Sequence, residues 1–228
     1  MALIWRKLLW IAFLIICISS HAQTSSRLFL QAGLGFSGNT LAYKGTNFKP
    51  SVEFGMDKRI VGSLYVYTGI NFYQTLHEVD EETAFSGTVY SEFDRYVIGL
   101  PILLRYSVGN RNLFYTDFGI LPTYLLNANL RESGEAFDYN ILEFVNKEDE
   151  GDITEYLNRF NFSFRLAQTI NYQRFQFVLS VDIPVSSGRS STGNLQENWA
   201  LGTSSNFIAN GGFINSAFVA FKFGYRLK

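Results

Sequence analysis

Cysteine is almost absent from this 228-residue chain, and the single residue, Cys17, sits in an apolar N-terminal run. That excludes a disulfide framework and thiol chemistry for everything that follows. Histidine is equally scarce. His21 and His77 alone exclude a zinc site built from several His and Cys ligands. Proline occurs four times. After residues 8–18, no stretch approaches the ~20 apolar residues of a membrane-crossing helix. Charge of either sign is not in excess, with 19 basic against 20 acidic residues. No basic groove, phosphate loop or repeat points to nucleic acid or nucleotide.

What is present begins with Arg6 and Lys7, the apolar run 8–18, and Ser20-His21-Ala22. This is the order of a secretory signal peptide, with cleavage expected after Ala22. The run is about half the length of a spanning anchor. Cys17 follows Ile15-Ile16 rather than a small residue, which speaks against lipid anchoring. The chain therefore divides into a signal peptide, 1–22, and one β-barrel domain, 23–228.

Eight stretches alternate apolar and mixed residues with period two: 27–36, 50–56, 63–75, 96–106, 114–126, 159–171, 175–183 and 216–227. That period belongs to strands, whose side chains point to opposite faces in turn. One face is large and aromatic, as in Phe114, Phe118, Ile120 and Tyr124. The other collects Glu53, Arg105, Asp117, Arg165, Asp182, Lys222 and Arg226 among Gly, Ser, Asn, Gln and Tyr. The connections run long, short, long, short, long, short, long. Such a meander places all long connections on one rim and all short turns on the other. Seven charges desolvated in a dry lipocalin-type core would be very costly. The expectation is all-β: an eight-stranded antiparallel up-and-down transmembrane barrel with short periplasmic turns and long extracellular loops. Aromatics near both rims, Tyr106, Phe114, Phe175 and Tyr225 at one and Phe72, Tyr96 and Phe160 at the other, fit two interfacial girdles. Pro101, Pro122 and Pro184 lack a backbone donor, so bulges or bends are expected there.

The strand from Tyr96 to Tyr106, with Pro101 and Arg105-Tyr106, resembles the PorT-like small outer-membrane barrels found across Bacteroidetes. So do Gly119, Tyr124-Leu125-Leu126 and the closing Phe223-Gly224-Tyr225-Arg226. Pro122 departs from that pattern. The resemblance implies an outer-membrane barrel without a shared catalytic site or cofactor, and an accessory place in a protein-secretion or gliding apparatus.

Interior charges are expected to pair across hairpins, Arg105 with Asp117 and Arg165 with Asp182, filling the lumen rather than opening a pore. A narrow ion-conducting pore is the alternative. His77, near Asp80, Glu81 and Ser91, is the sole candidate for catalysis, and a solvated loop histidine is the simpler reading. No enzyme is expected. Residues 76–94 carry six acids and no Lys or Arg, and 129–158 carry nine acids against Arg131 and Lys147. Charge blocks of this kind stay solvated. Within the second, Glu148, Asp149, Glu150 and Asp152 are the weak candidates for calcium or for bridging to lipid-A phosphates, although the spacing is not that of an EF-hand. That connection is also expected to hold a short helix near 139–145. The connection 186–212 carries Trp199, the one tryptophan after the signal peptide. The expected partners are outer-membrane lipid, lipopolysaccharide, the barrel-insertion machinery and secretion-complex proteins. The expected role is membrane-structural or surface interaction.

Overall fold

The computed structural model describes residues 26–38, 48–83, 87–109, 113–138, 143–185 and 217–227. The signal-peptide segment and the 186–212 connection with Trp199 lie outside the described residues. The strands are β1 (Ser26–Gly38), β2 (Lys49–Val61), β3 (Leu64–Thr83), β4 (Gly87–Gly99), β5 (Ile102–Val108), β6 (Phe114–Asp138), β7 (Glu143–Asp152), β8 (Phe160–Tyr172), β9 (Phe175–Pro184) and β10 (Ala217–Arg226). All pairings are antiparallel.

The sheet closes on itself. β1 pairs with β2 on one side and with β10 on the other, and β10, β9, β8 and β6 follow in order. β4 and β5 together form one stave between β3 and β6, giving eight staves and no open edge in the wall. The sequence reads one strand over 96–106. The structure breaks it at Leu100-Pro101. Register continues across the break, from Asn71↔Gly99 to Thr68↔Ile102 and from Gly99↔Thr123 to Ile102↔Ile120. Leu100 N–H still donates to the Pro122 carbonyl at 2.9 Å. Pro122 has no N–H to return, so both prolines fall at one interruption of the wall.

Alternation decides what faces inward. In β8, Phe162, Phe164, Leu166 and Ile170 are exposed outward while Arg165, Ala167 and Thr169 are buried. In β9, Phe177 and Leu179 point out and Gln176, Val178, Ser180 and Asp182 point in. The arrangement is an inside-out protein: grease on the surface, polar groups in the centre. Where the outward wall does carry polar groups, they satisfy each other. Gln168 Nε2 donates to Thr116 Oγ1 at 3.1 Å across the β6–β8 ladder.

Two expectations fail at the long-connection rim. In their described part, residues 76–94 are not a loop. β3 and β4 continue as a paired ladder from Asn71↔Gly99 to Thr83↔Gly87. Residues 139–145 hold no helix in their described part. Glu143, Phe144 and Val145 belong to β7, which pairs with β6 from Asn129↔Asp152 to Asp138↔Glu143. The described helical segment is a single 3-10 turn, Thr154–Tyr156. β3, β4, β6 and β7 thus form a four-stranded extension beyond the points where β2 and β8 stop pairing, Ser51↔Tyr73 and Tyr124↔Phe160. A bulge between Tyr96 and Val97 leaves Leu126 unmatched on β6. The inward set on β6 accordingly changes from Leu121, Thr123 and Leu125 to Ala128, Leu130 and Glu132.

Candidate functional site: a charged plug below an axial cavity

Eight charged side chains meet inside the barrel in two balanced clusters. Near the short turns, Arg105 forks onto Asp117, Nε to Oδ1 at 2.8 Å and Nη2 to Oδ2 at 2.7 Å. Its Nη1 donates to Asp57 Oδ2 at 2.9 Å. Arg27 forks onto the same Asp57 with two 2.8 Å bonds and donates to the Tyr115 hydroxyl at 2.8 Å. The second cluster lies further along the axis. Arg165 forks onto Asp182 at 2.6 and 2.8 Å and reaches Glu53 Oε2 at 2.8 Å. Lys222 Nζ donates to the same Glu53 oxygen at 2.5 Å.

Tyr67 joins the two clusters. Its hydroxyl donates to Glu53 Oε1 at 2.5 Å, and the Arg105 guanidinium carbon lies 4.4 Å from its ring centre. This ring fits because residue 55 is glycine: a Cβ there would sit 2.0 Å from the Tyr67 hydroxyl. Bidentate arginine–carboxylate pairs and cation–π stacking are the geometries that best offset the cost of taking a guanidinium out of water. Each cluster carries two cations and two anions, so neither leaves net charge in the centre. The space between them, beside Glu53, Arg105, Arg165 and Lys222, is about 10 Å³, roughly a single water.

Above the plug, toward the long-connection rim, the lumen opens into a cavity of about 60 Å³. Tyr73, Phe218, Arg95, Asp182, Asn161 and Leu157 are among its walls. Tyr73 and Phe218 stack at 4.6 Å between ring centres. Phe218 lies over Gly35, where a Cβ would be 2.2 Å from its Cζ. The 3-10 turn forms a shoulder beside this cavity. Ile153, Thr154 and Leu157 are buried, and Thr154 Oγ accepts the Ala128 N–H at 2.8 Å. Asp152 accepts the Thr154 N–H at 2.8 Å. Hydrogen bonding from Thr154, through hydroxyl and backbone, holds the Asp152 carboxyl below its ordinary range. Asp152 lies past the barrel wall, on the extension.

Of the seven interior charges read from the sequence, Glu53, Arg105, Asp117, Arg165, Asp182 and Lys222 are buried in these clusters. Arg226 is half-buried at the end of β10, outside them, with its N–H on the Arg174 carbonyl. The sequence places Tyr67 among the large interior residues, without its carboxylate partner, and does not single out Arg27 or Asp57. Asp57 continues the parity of Glu53 and Gly55, and that signal is lost if β2 is ended at Met56. His77 is on β3 rather than in a loop, opposite Phe93, while Asp80 is opposite Tyr90 and Ser91 opposite Val79. Asp80, three positions on, has the opposite parity from His77 on β3. Glu148, Asp149, Glu150 and Asp152 lie along β7. Glu148, Glu150 and Asp152 are exposed. Among the described residues no three His, Cys, Asp or Glu side chains converge as a metal site.

No protein-family model matches the chain. Comparison with curated proteins gives no match either. The reading of function therefore rests on the barrel's own chemistry.

Proposed function

We propose that this is an integral outer-membrane β-barrel protein, exported by a cleaved signal peptide, whose role is membrane-structural or surface-interacting and non-enzymatic. The observation that carries the proposal is the outward wall. Leu30, Phe54, Phe72, Phe118, Phe164, Phe177 and Phe221, from staves around the whole barrel, are 46–55% exposed. An apolar surface of that continuity marks a molecule whose surroundings are not water. Rim aromatics add support: Tyr106, Phe114 and Tyr172 are exposed at the short-turn end, and Phe72 and Tyr96 at the other. In a bilayer the exposed extension and its acids would face outside, available to lipopolysaccharide or protein partners. Outer-membrane fractionation combined with gel mobility before and after boiling tests this. A heat-modifiable band in the outer-membrane fraction is expected, and recovery in the soluble periplasm would end the proposal.

An accessory role in a secretion or gliding apparatus is the second reading, supported by the PorT-like pattern of Tyr96–Tyr106, Gly119 and Phe223–Arg226. Deletion followed by comparison of secreted proteomes tests it, and an unchanged secretome together with no co-purifying complex would sink it. The ion-conducting alternative is disfavoured by the plug, whose free space of about 10 Å³ gives ions no continuous path. Single-channel recordings on the purified barrel should be silent.

A further inference from the structure

We infer that the outer wall at the short-turn rim, between the β8–β9 turn and β10, binds an anionic phospholipid, its phosphate on Arg174 and Tyr225. The inference rests on the proposed membrane location and adds a lipid preference to it. Charge at this rim has one sign. Outside the plug it carries Lys58 and Arg59 on β2, Arg174 in the β8–β9 turn and Arg226 on β10, and among the described residues no acid is exposed there. The acids nearest to it, Asp57 and Asp117, are buried and bonded to Arg27 and Arg105. A basic rim of this kind attracts anionic headgroups. With no exposed carboxylate beside it, it offers nothing to the ammonium of a zwitterionic headgroup.

Arg174 is the best-placed cation. Its Nη1 donates to the Tyr225 hydroxyl at 3.2 Å, and its carbonyl accepts the Arg226 N–H at 2.7 Å. Side chain and turn are thus both tied to β10, while the residue stays exposed. One bond leaves most of the guanidinium fork for a phosphate. The Tyr225 hydroxyl, accepting from Arg174, keeps its own proton to donate to the same phosphate. The wall beside them is aromatic. Between ring centres, Phe175 lies 5.6 Å from Tyr225 and 5.4 Å from Phe223, and Phe177 lies 5.3 Å from Phe223. All four rings are exposed. A phenol and a guanidinium at headgroup level, with bare rings further from the rim, suit a ligand that is charged at one end and apolar at the other. A free phosphate would use only the polar end. A phospholipid uses both, with an acyl chain over Phe223 and Phe177.

Native mass spectrometry of the folded barrel, released from detergent after titration with phosphatidylglycerol or phosphatidylcholine, tests this. Phosphatidylglycerol should form the first adduct about fivefold more tightly, the difference one basic residue makes at a charged lipid surface. Arg174→Gln should bring the two lipids level and Tyr225→Phe should narrow the gap, while Lys49→Gln at the opposite rim should leave the preference intact. The heat-modifiable band reports that each variant is folded. Equal binding of both lipids by the unaltered protein, or a preference that survives Arg174→Gln, would overturn the inference. So would displacement of phosphatidylglycerol by equimolar inorganic phosphate, which would mark a site for the ion alone. A barrel that inserts into vesicles yet binds both lipids equally contradicts this inference only, whereas recovery in the soluble periplasm contradicts the membrane location beneath it.

Discussion

Glu53 is the residue on which the interior depends most. It accepts from Lys222, Arg165 and Tyr67 together, and so ties β2 to β3, β8 and β10. Removing its carboxylate leaves two buried cations sharing one remaining anion, Asp182. Breaking a buried pair in this way costs about 3–5 kcal/mol. Glu53→Ala should therefore lower unfolding stability by that amount, read from urea titration of the heat-modifiable band. At the opposite end of the scale is Asp152, which is exposed and contributes little. Its depressed pKa means that its contribution is present above the ordinary carboxylate value and is lost as pH falls through the lowered one. The Thr154 amide resonance should titrate with a midpoint below about 3.9, the unperturbed aspartate value. A midpoint at or above it would contradict the bond. The sequence reading found Glu53 and most of its partners by parity alone. It missed Tyr67 as a partner because a tyrosine on a mixed face gives no sign of which carboxylate its hydroxyl will meet. Arg27 lies at the start of β1, where parity has few neighbours to confirm it, and Asp57 falls beyond the Met56 at which the alternation in β2 is read to stop.

The strands show why some elements are legible and others are not. Within the wall, period-two grease such as Phe160-Phe162-Phe164-Leu166 states both the strand and its outward face. In the extension that signal fades: Phe93, Ala128, Leu130 and Glu132 are still buried, but charges occupy successive positions, as at Glu81-Glu82 and Glu148-Asp149-Glu150. Pairing there is inherited from the wall. The β3–β4 and β4–β6 ladders simply continue past the rim. Nothing in local hydropathy distinguishes this from a solvated loop. The short turns obey local rules more closely. Gly62 opens the two-residue β2–β3 turn with φ +53°, and Gln173 opens the β8–β9 turn with φ 55°. A positive φ at the first central position favours glycine and strains any side chain with a Cβ. Gln173→Gly should raise stability by about 0.5–1 kcal/mol, after allowing for the added freedom of the unfolded chain. A loss of stability in the same urea titration would show that the Gln173 side chain matters more than its backbone.

The whole molecule sorts its charge by place. Fifteen of the 20 acidic residues lie in 76–94 and 129–158, and four of the other five, Glu53, Asp57, Asp117 and Asp182, lie in the plug. The outward wall between the rims keeps none. A water-soluble barrel of this size would do the reverse, placing its charge outside and its phenylalanines within. If the protein spans a bilayer, this wall faces lipid. The most direct measurement is spin labelling at Leu166, an outward position, and at Ala167, its buried neighbour, in the protein reconstituted into vesicles. The label at 166 should relax strongly with dissolved oxygen and weakly with a water-soluble nickel chelate. Strong relaxation by the nickel chelate at 166 would contradict the account.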